Sequence, residues 1–143
     1  LADVLRQALS EMLPQANAKS LGIDLDGAPQ AWVQGHRDAL TLLVRNLLDN
    51  AIKYTPAGKR IHLHLEQTSA EAALLIDDEG PGIAPEERER VFDRFYRVEG
   101  NAQHGSGLGL AIARSIADQH GAAIELQDTP AGSGLRVKVV FPT

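Results

Sequence analysis

The sequence predicts an α+β two-layer sandwich, with a mixed, mainly antiparallel sheet covered on one face by helices. Three stretches carry helical periodicity, at 1–20, before Thr55-Pro56, and at 107–120. Short stretches of alternating apolar and polar residues lie between and after them, and four of these stretches form two hairpin-like pairs. Helices and strands are intermixed without strict βαβ alternation, which favours a two-layer α+β arrangement. The 143 residues suit one domain.

Composition excludes several classes of function. Lys and Arg number 14 against 19 Asp and Glu, a net charge of −5, and no basic stripe indicates nucleic-acid binding. The chain has no cysteine, which excludes disulfides, thiolate metal sites and a cysteine nucleophile. No apolar run approaches the ~20 residues of a membrane-spanning helix. The sequence opens in the middle of a helical pattern, so we expect it to be a piece of a longer protein.

The N-terminal quarter predicts one helix and two short strands. The helix covers 1–20, and Pro14 is expected to break or kink it. Residues 21–25 alternate as a strand that ends in an Asp26-Gly27 turn. A second strand is predicted at 31–33, with Trp32 in the core.

The helix that ends at Thr55-Pro56 carries an unusual polar stripe. Asn46, Asn50 and Lys53 fall on one side at 100° per residue, with Tyr54 at the edge, beside an apolar face. Asparagine is a mediocre helix former, so two of them one turn apart are unusual in a plain core helix. The stripe suits a hydrated metal ion, a phosphate or a heterocycle, and the alternative is a solvated face.

The next two strands are predicted at 61–67 and 72–76. In the first, His62 and His64 alternate with apolar residues and are expected on the solvent face. The second strand leads directly into Asp78-x-Gly80-x-Gly82. A carboxylate at a strand end can accept a hydrogen bond from an exocyclic amine, and glycines allow close approach of a backbone. The alternative is an ordinary Asp/Gly turn.

The C-terminal half predicts a helix start at Pro85, a helix at 107–120 and strands at 123–126 and 135–141. An aromatic cluster at 91–96 carries the cations Arg94 and Arg97, and residues 99–106 form a polar loop that we expect to be mobile. The stretch 105–110 places glycines before a helix, where backbone N–H groups suit phosphates. Its G-x-G-x-G spacing is neither the dinucleotide fingerprint nor a Walker A loop. His120 is expected as a cation at a helix C-terminus.

Four motifs follow one another along the chain: the asparagine helix, the Asp-Gly loop, the Phe/Arg segment and the glycine-rich stretch. Their combination in this order is specific, and on it the chain resembles the catalytic ATP-binding domain of bacterial sensor histidine kinases of two-component systems. That domain belongs to the gyrase, chaperone, histidine kinase and mismatch-repair ATPase superfamily, with a Bergerat-type fold. Residues 46–56 resemble its N box, 78–82 its first glycine box, 91–97 its F box and 105–110 its second glycine box. The resemblance covers roughly residues 30–143 and implies one catalytic domain over 1–143, with an ATP lid at 99–106.

The resemblance also implies roles for individual residues. Asn50 would ligate Mg²⁺ with support from Asn46, and Asp78 would accept from the adenine amine. Lys53 and Arg97 would act on the phosphates, and with Asn46 they form the implied catalytic set. The full implied ATP-binding set is Asn46, Asn50, Lys53, Tyr54, Asp78, Gly80, Gly82, Ile83, Arg94, Arg97, Gly105, Ser106, Gly107, Leu108, Gly109 and Leu110.

Position 46 discriminates within the superfamily. Hydrolysing members carry a glutamate there as general base, whereas an amide cannot take a proton. The resemblance therefore implies a phosphoryl donor that acts on a histidine in an upstream dimerisation domain, absent from this sequence. Three alternatives remain: an ATP hydrolase or chaperone-like protein, a nucleotide-free interaction module, and a serine kinase acting on a separate protein.

The family also implies partners and location. We expect a cognate response regulator downstream, a monomeric isolated domain and a homodimeric parent. The domain would lie in the cytoplasm as part of an inner-membrane sensor. No nucleic-acid partner is expected.

Overall fold

The computed structural model describes residues 1–28, 30–92, 109–130 and 134–142. In these ranges the elements, in chain order, are α1 (Ala2–Ala18), β1 (Gly22–Gly27), α2 (Arg37–Tyr54), β2 (Arg60–Gln67), β3 (Glu71–Asp78), α3 (Gly109–Gln119), β4 (Ala123–Asp128) and β5 (Leu135–Pro142). Two short 3₁₀ turns, Pro85–Glu87 and Arg90–Phe92, lie between β3 and α3.

The five strands form one mixed sheet in the order β1-β2-β3-β5-β4. β1 runs parallel to β2, and α2 makes the crossover between them. The other three pairs are antiparallel. The predicted α+β fold with a mainly antiparallel sheet is confirmed.

The core lies between one face of the sheet and the helices. Alternate residues of β2 and β5 point into it, as period-2 strands require. They meet the apolar face of α2, which presents a stripe at 3–4-residue spacing. The fully buried members include Leu43, Val44, Leu47, Leu48, Ile61, Leu63, Val139 and Phe141.

Several local predictions differ from the structure. α1 does not break at Pro14 but continues to Ala18, because the proline ring and Ser10, whose carbonyl loses its helical donor, are exposed. A kink at Pro14 stays a prediction. Asp26 and Gly27, expected as a turn, are the last two residues of β1. Residues 31–33 form no strand, and Trp32 is 73% exposed rather than in the core. The helix start expected at Pro85 is a 3₁₀ turn.

His120 links the start of α2 to the end of α3. Its Nε2 lies 3.2 Å from the backbone nitrogen of His36, and its Nδ1 lies 2.8 Å from the carbonyl oxygen of Ile116. Its role as a cation at the helix end stays a prediction.

Among the described helices, none combines the length and apolarity needed to cross a membrane.

Candidate nucleotide-binding site

The C-terminal half of α2 supplies the first wall of the site. Asn46 and Asn50 are both half-buried, one turn apart on the same side. The Nδ2 atom of Asn46 is buried and has no hydrogen-bond partner among the described residues. A buried donor left unpaired costs about 1–3 kcal/mol, so this amide is suited to a polar partner from outside.

The end of α2 holds the predicted phosphate and base contacts. Lys53 lies 2.9 Å from Oδ2 of Asp49, one turn earlier, in a half-exposed ion pair. Such an i,i+4 ion pair contributes little to stability. Moving the Lys53 ammonium from the carboxylate to a phosphate would therefore cost little free energy. Tyr54 is the last helical residue and is half-buried. Thr55 ends the helix, with its hydroxyl donating to the Ala51 carbonyl at 2.6 Å.

Asp78 ends β3 and is buried, at 7% exposure. Its Oδ1 accepts the backbone N–H of Gly80 at 2.9 Å and that of Leu135 at 3.1 Å. Burial raises the pKa of this carboxyl, and the two backbone hydrogen bonds oppose that shift. No described residue donates to Oδ2, so one oxygen is held in place and the other can accept from a ligand.

The loop after Asp78 is packed against the end of α2 and the start of β5. A Cβ added to Gly80 would lie 2.5 Å from the carbonyl oxygen of Tyr54. Gly82 has φ +76°, and a Cβ there would lie 2.8 Å from the carbonyl oxygen of Gly134. The structural reason for glycine at both positions is therefore contact with the protein's own backbone. Close approach of the base to these glycines stays a prediction.

α3 begins beside the polar stripe. A Cβ on Gly109 would lie 4.0 Å from the Cβ of Asn46, so the start of α3 borders the asparagine wall. Leu110 and Ile83 are half-buried and pack against the core. The structure thus brings the N-box helix, Asp78, the first glycine loop and the start of α3 to one end of the molecule.

Comparison with known proteins identifies this arrangement. The model of the family described as "Histidine kinase-, DNA gyrase B-, and HSP90-like ATPase" matches residues 35–143. The chain belongs to this family. Because the family is one of ATPases, ATP is supported as a ligand of this domain.

Individual relatives agree with this assignment. The chain is 42% identical over 123 residues to the swarming motility regulation sensor protein RssA of Serratia marcescens, covering 85% of this chain and 26% of that protein. The structure of the mycobacterial sensor histidine kinase MprB is 34% identical, with a TM-score of 0.86, over 98% of this chain and 92% of the other. Full-length ShkA in complex with AMPPNP is 28% identical, with a TM-score of 0.84, over 99% of this chain and 29% of that one. The chain spans less than a third of the curated relatives RssA, MprB and PmrB.

Several predicted site residues of this ATPase-family domain lie outside the described residues. They are Arg94, Arg97, Gly105, Ser106, Gly107 and Leu108, together with the rest of the lid at 99–106.

The site also depends on residues that the sequence analysis did not single out. Arg88 donates to the carbonyl of Ile83 at 3.0 Å and to Asp128 at 2.6 Å, which fastens the glycine loop to β4. Arg114 of α3 lies 4.7 Å from the ring centroid of Phe92 and pairs with Glu89 at 3.0 Å. Apart from the bond between Arg88 and Ile83, these contacts join positions at least 22 residues apart along the chain, and no local pattern signals them.

Proposed function

We propose that this chain is the single catalytic domain of a sensor histidine kinase. It binds Mg-ATP and donates the γ-phosphoryl group to a histidine on a separate dimerisation domain of the same protein. The observation that carries the proposal is the buried Asp78, fixed through one oxygen, at the same end of the fold as the two-asparagine helix. The names of the sensor histidine kinase MprB and of the sensor protein kinase PmrB support the kinase assignment.

The adenine end of the proposed site is Asp78. Its Oδ2 accepts from the exocyclic amine of adenine, while guanine presents a carbonyl oxygen at the corresponding position and is disfavoured. Burial of the Asp78 carboxylate strengthens the preference for adenine over guanine, because a base without a donor at this position leaves the carboxylate without a hydrogen bond. Tyr54 packs on the base from the end of α2. The AMPPNP complex of ShkA supports a nucleotide in this fold.

The phosphate end is the asparagine face of α2. The amide oxygen of Asn50 is a hard donor of the type Mg²⁺ prefers, and the unpartnered Nδ2 of Asn46 fits a phosphate oxygen or a metal-bound water. When bound, Mg²⁺ supplies charge neutralisation to the phosphates. Lys53 leaves Asp49 to neutralise a phosphate, and Arg94, Arg97 and the amides of 105–110 complete the proposed set.

Position 46 favours phosphoryl donation over hydrolysis. Its side chain is an amide beside the start of α3, and an amide cannot take a proton from water. Transfer needs mainly positioning and charge neutralisation, which Asn46, Lys53 and Arg97 provide.

The whole protein is proposed from its relatives. A response regulator receives the phosphoryl group, and the parent acts as a homodimer anchored in the inner membrane with this domain in the cytoplasm. The isolated domain is proposed to be monomeric.

Phosphoryl transfer to a supplied acceptor tests the proposal. The acceptor is the dimerisation domain encoded upstream in the same gene, incubated with this chain and radiolabelled Mg-ATP. We expect acid-labile label on the acceptor histidine, lost in Asn50→Ala and kept in the matched control Asn17→Ala, which changes an exposed asparagine of α1. Unchanged transfer by Asn50→Ala contradicts the metal role. Rapid phosphate release without acceptor labelling would favour the ATP hydrolase instead.

A further inference from the structure

A cluster of metal-ligating side chains lies on the sheet face opposite the helices, within strands β1 and β2. It consists of Asp26 of β1 and of His62 and His64 of β2. In the parallel register Asp26 is directly opposite His64, and His62 is two residues along the same strand. Period-2 alternation therefore places both histidines on the same face, beside Asp26.

The ligand atoms of the cluster are close together. One atom from each of the three residues lies within 4.8 Å of the others. Nε2 of His62 is 3.1 Å from Oδ2 of Asp26, and Nδ1 of His64 is hydrogen-bonded to Oδ1 of the same carboxylate. Tetrahedral zinc, with bonds of about 2.0–2.2 Å, holds its ligand atoms about 3.3 Å apart, so small side-chain rotations suffice.

The electrostatics around the cluster favour a cation. Arg60 is paired with Asp24 through three contacts, of 3.1 Å and 2.6 Å to Oδ2 and of 2.5 Å to Oδ1. Arg136 is paired with Asp77 through two contacts of 2.7 Å. Both flanking guanidinium groups are therefore already neutralised.

Two carboxylates lie against the histidines of the cluster. They are Asp26 and Glu66, and Glu66 lies 3.4 Å from Nε2 of His64. A carboxylate on the far nitrogen of a metal-binding histidine fixes its tautomer and its orientation.

We propose that Asp26, His62 and His64 form a Zn²⁺ site that links β1 to β2, independently of the nucleotide site. Two imidazoles and one carboxylate suit a borderline divalent ion better than the hard ion Mg²⁺, and water takes the fourth position. β1 is an edge strand whose sheet partner is β2 alone. A metal with ligands on both strands therefore stabilises this edge, because the ion binds the folded pair and not the separated strands.

Titration of the metal-free chain with Zn²⁺ alone tests the site, with Mg²⁺ in excess and no nucleotide. We expect calorimetry to show one ion per chain. His62→Ala and His64→Ala each weaken Zn²⁺ binding by at least about tenfold, the loss seen even when only a supporting group is removed. His36→Ala is the matched control, because its side chain is exposed and its hydrogen bond to His120 uses the backbone N–H. This control retains wild-type affinity.

Histidine side-chain NMR of the wild-type chain provides a second measurement that does not depend on variant folding. Zn²⁺ is expected to shift the ring signals of His62 and His64 and to slow amide exchange in β1. Absence of stoichiometric binding overturns the proposal, and so does binding that survives in the double variant His62→Ala/His64→Ala. Neither result bears on ATP binding.

Discussion

The ammonium of Lys19 lies 2.7 Å from the carbonyl oxygen of Ile52 and 3.1 Å from that of Lys53. These carbonyls belong to the last turn of α2, where helical C=O groups lack partners within the helix. A cation there satisfies two acceptors and complements the negative end of the helix dipole. The residue after α1 thus holds the end of the helix that carries the proposed ATP contacts.

Lys19→Met is expected to destabilise the fold by about 1–3 kcal/mol, because two charge-assisted hydrogen bonds are lost while the apolar stem is kept. Urea unfolding measures the change. Lys59→Met is the matched control, since Lys59 is exposed, and it should stay within about 0.5 kcal/mol of wild type. Equal stability of both variants would show that the Lys19 contacts contribute nothing.

Asp78→Asn is expected to fold, with stability at neutral pH equal to or above that of wild type. The asparagine oxygen can still accept from Gly80 and Leu135, and the variant no longer buries a charge. Burial raises the pKa of Asp78 in the folded state above its ordinary value of 3.8. Wild type therefore loses stability as the pH rises from that ordinary value to the raised folded-state pKa. The stability of the variant relative to wild type should therefore increase from about pH 4 to pH 7. Thermal unfolding across this range measures it, and a decreasing difference would contradict the assigned cause.

Gly80→Ala is expected to weaken ATP binding and to lower stability, because its Cβ meets the Tyr54 carbonyl and moves the loop away from α2. Gly58→Ala is the control, because it adds backbone strain without a contact like that between Gly80 and Tyr54. Gly58 has φ +82° with nothing within 4 Å of an added Cβ, so only its conformational cost, about 1–2 kcal/mol, should appear. ATP calorimetry and urea unfolding of both variants check the distinction. Equal loss of ATP affinity in the two would exclude a specific role for the Gly80 contact.

Asn46→Glu is expected to raise phosphate release from ATP, because it restores a carboxylate that can act as general base. A positioned general base raises a reaction rate by about 10²–10⁴-fold, and this range sets the upper limit of the expected gain in hydrolysis rate. Asn46→Gln matches glutamate in size but keeps the amide, and should not hydrolyse faster than wild type. A phosphate-release assay on the three proteins checks this. If the glutamine variant equals the glutamate variant, the residue at position 46 does not decide between transfer and hydrolysis.

Features that depend on local pattern were predictable from the sequence. The end of α2 at Thr55 follows from the proline after it, and the alternation in β2 correctly placed Ile61 and Leu63 in the core. Asp78, Gly80 and Gly82 could be named as candidate site residues because they follow a strand directly, and their role in ATP binding stays a prediction.

Features that depend on distant contacts were not predictable. The Leu135 amide, 57 residues from Asp78, anchors that carboxylate, and Lys19, 33 residues from Ile52, caps α2. The prediction for Trp32 was wrong because an aromatic residue between apolar neighbours resembles a buried strand. In the structure its backbone N–H donates to the Gln67 side chain at 2.8 Å, and its ring is exposed.

Calorimetric ATP affinity of wild type and Asp78→Asn tests whether Asp78 binds the adenine amine. We expect wild type to prefer ATP to GTP, and the variant to lose about 1–3 kcal/mol, or about 5–150-fold, in ATP affinity while remaining folded. Asp118→Asn, on the exposed side of α3, serves as the charge-matched control and keeps wild-type affinity. Equal ATP affinity in wild type and a folded Asp78→Asn would contradict the assignment of Asp78 to adenine.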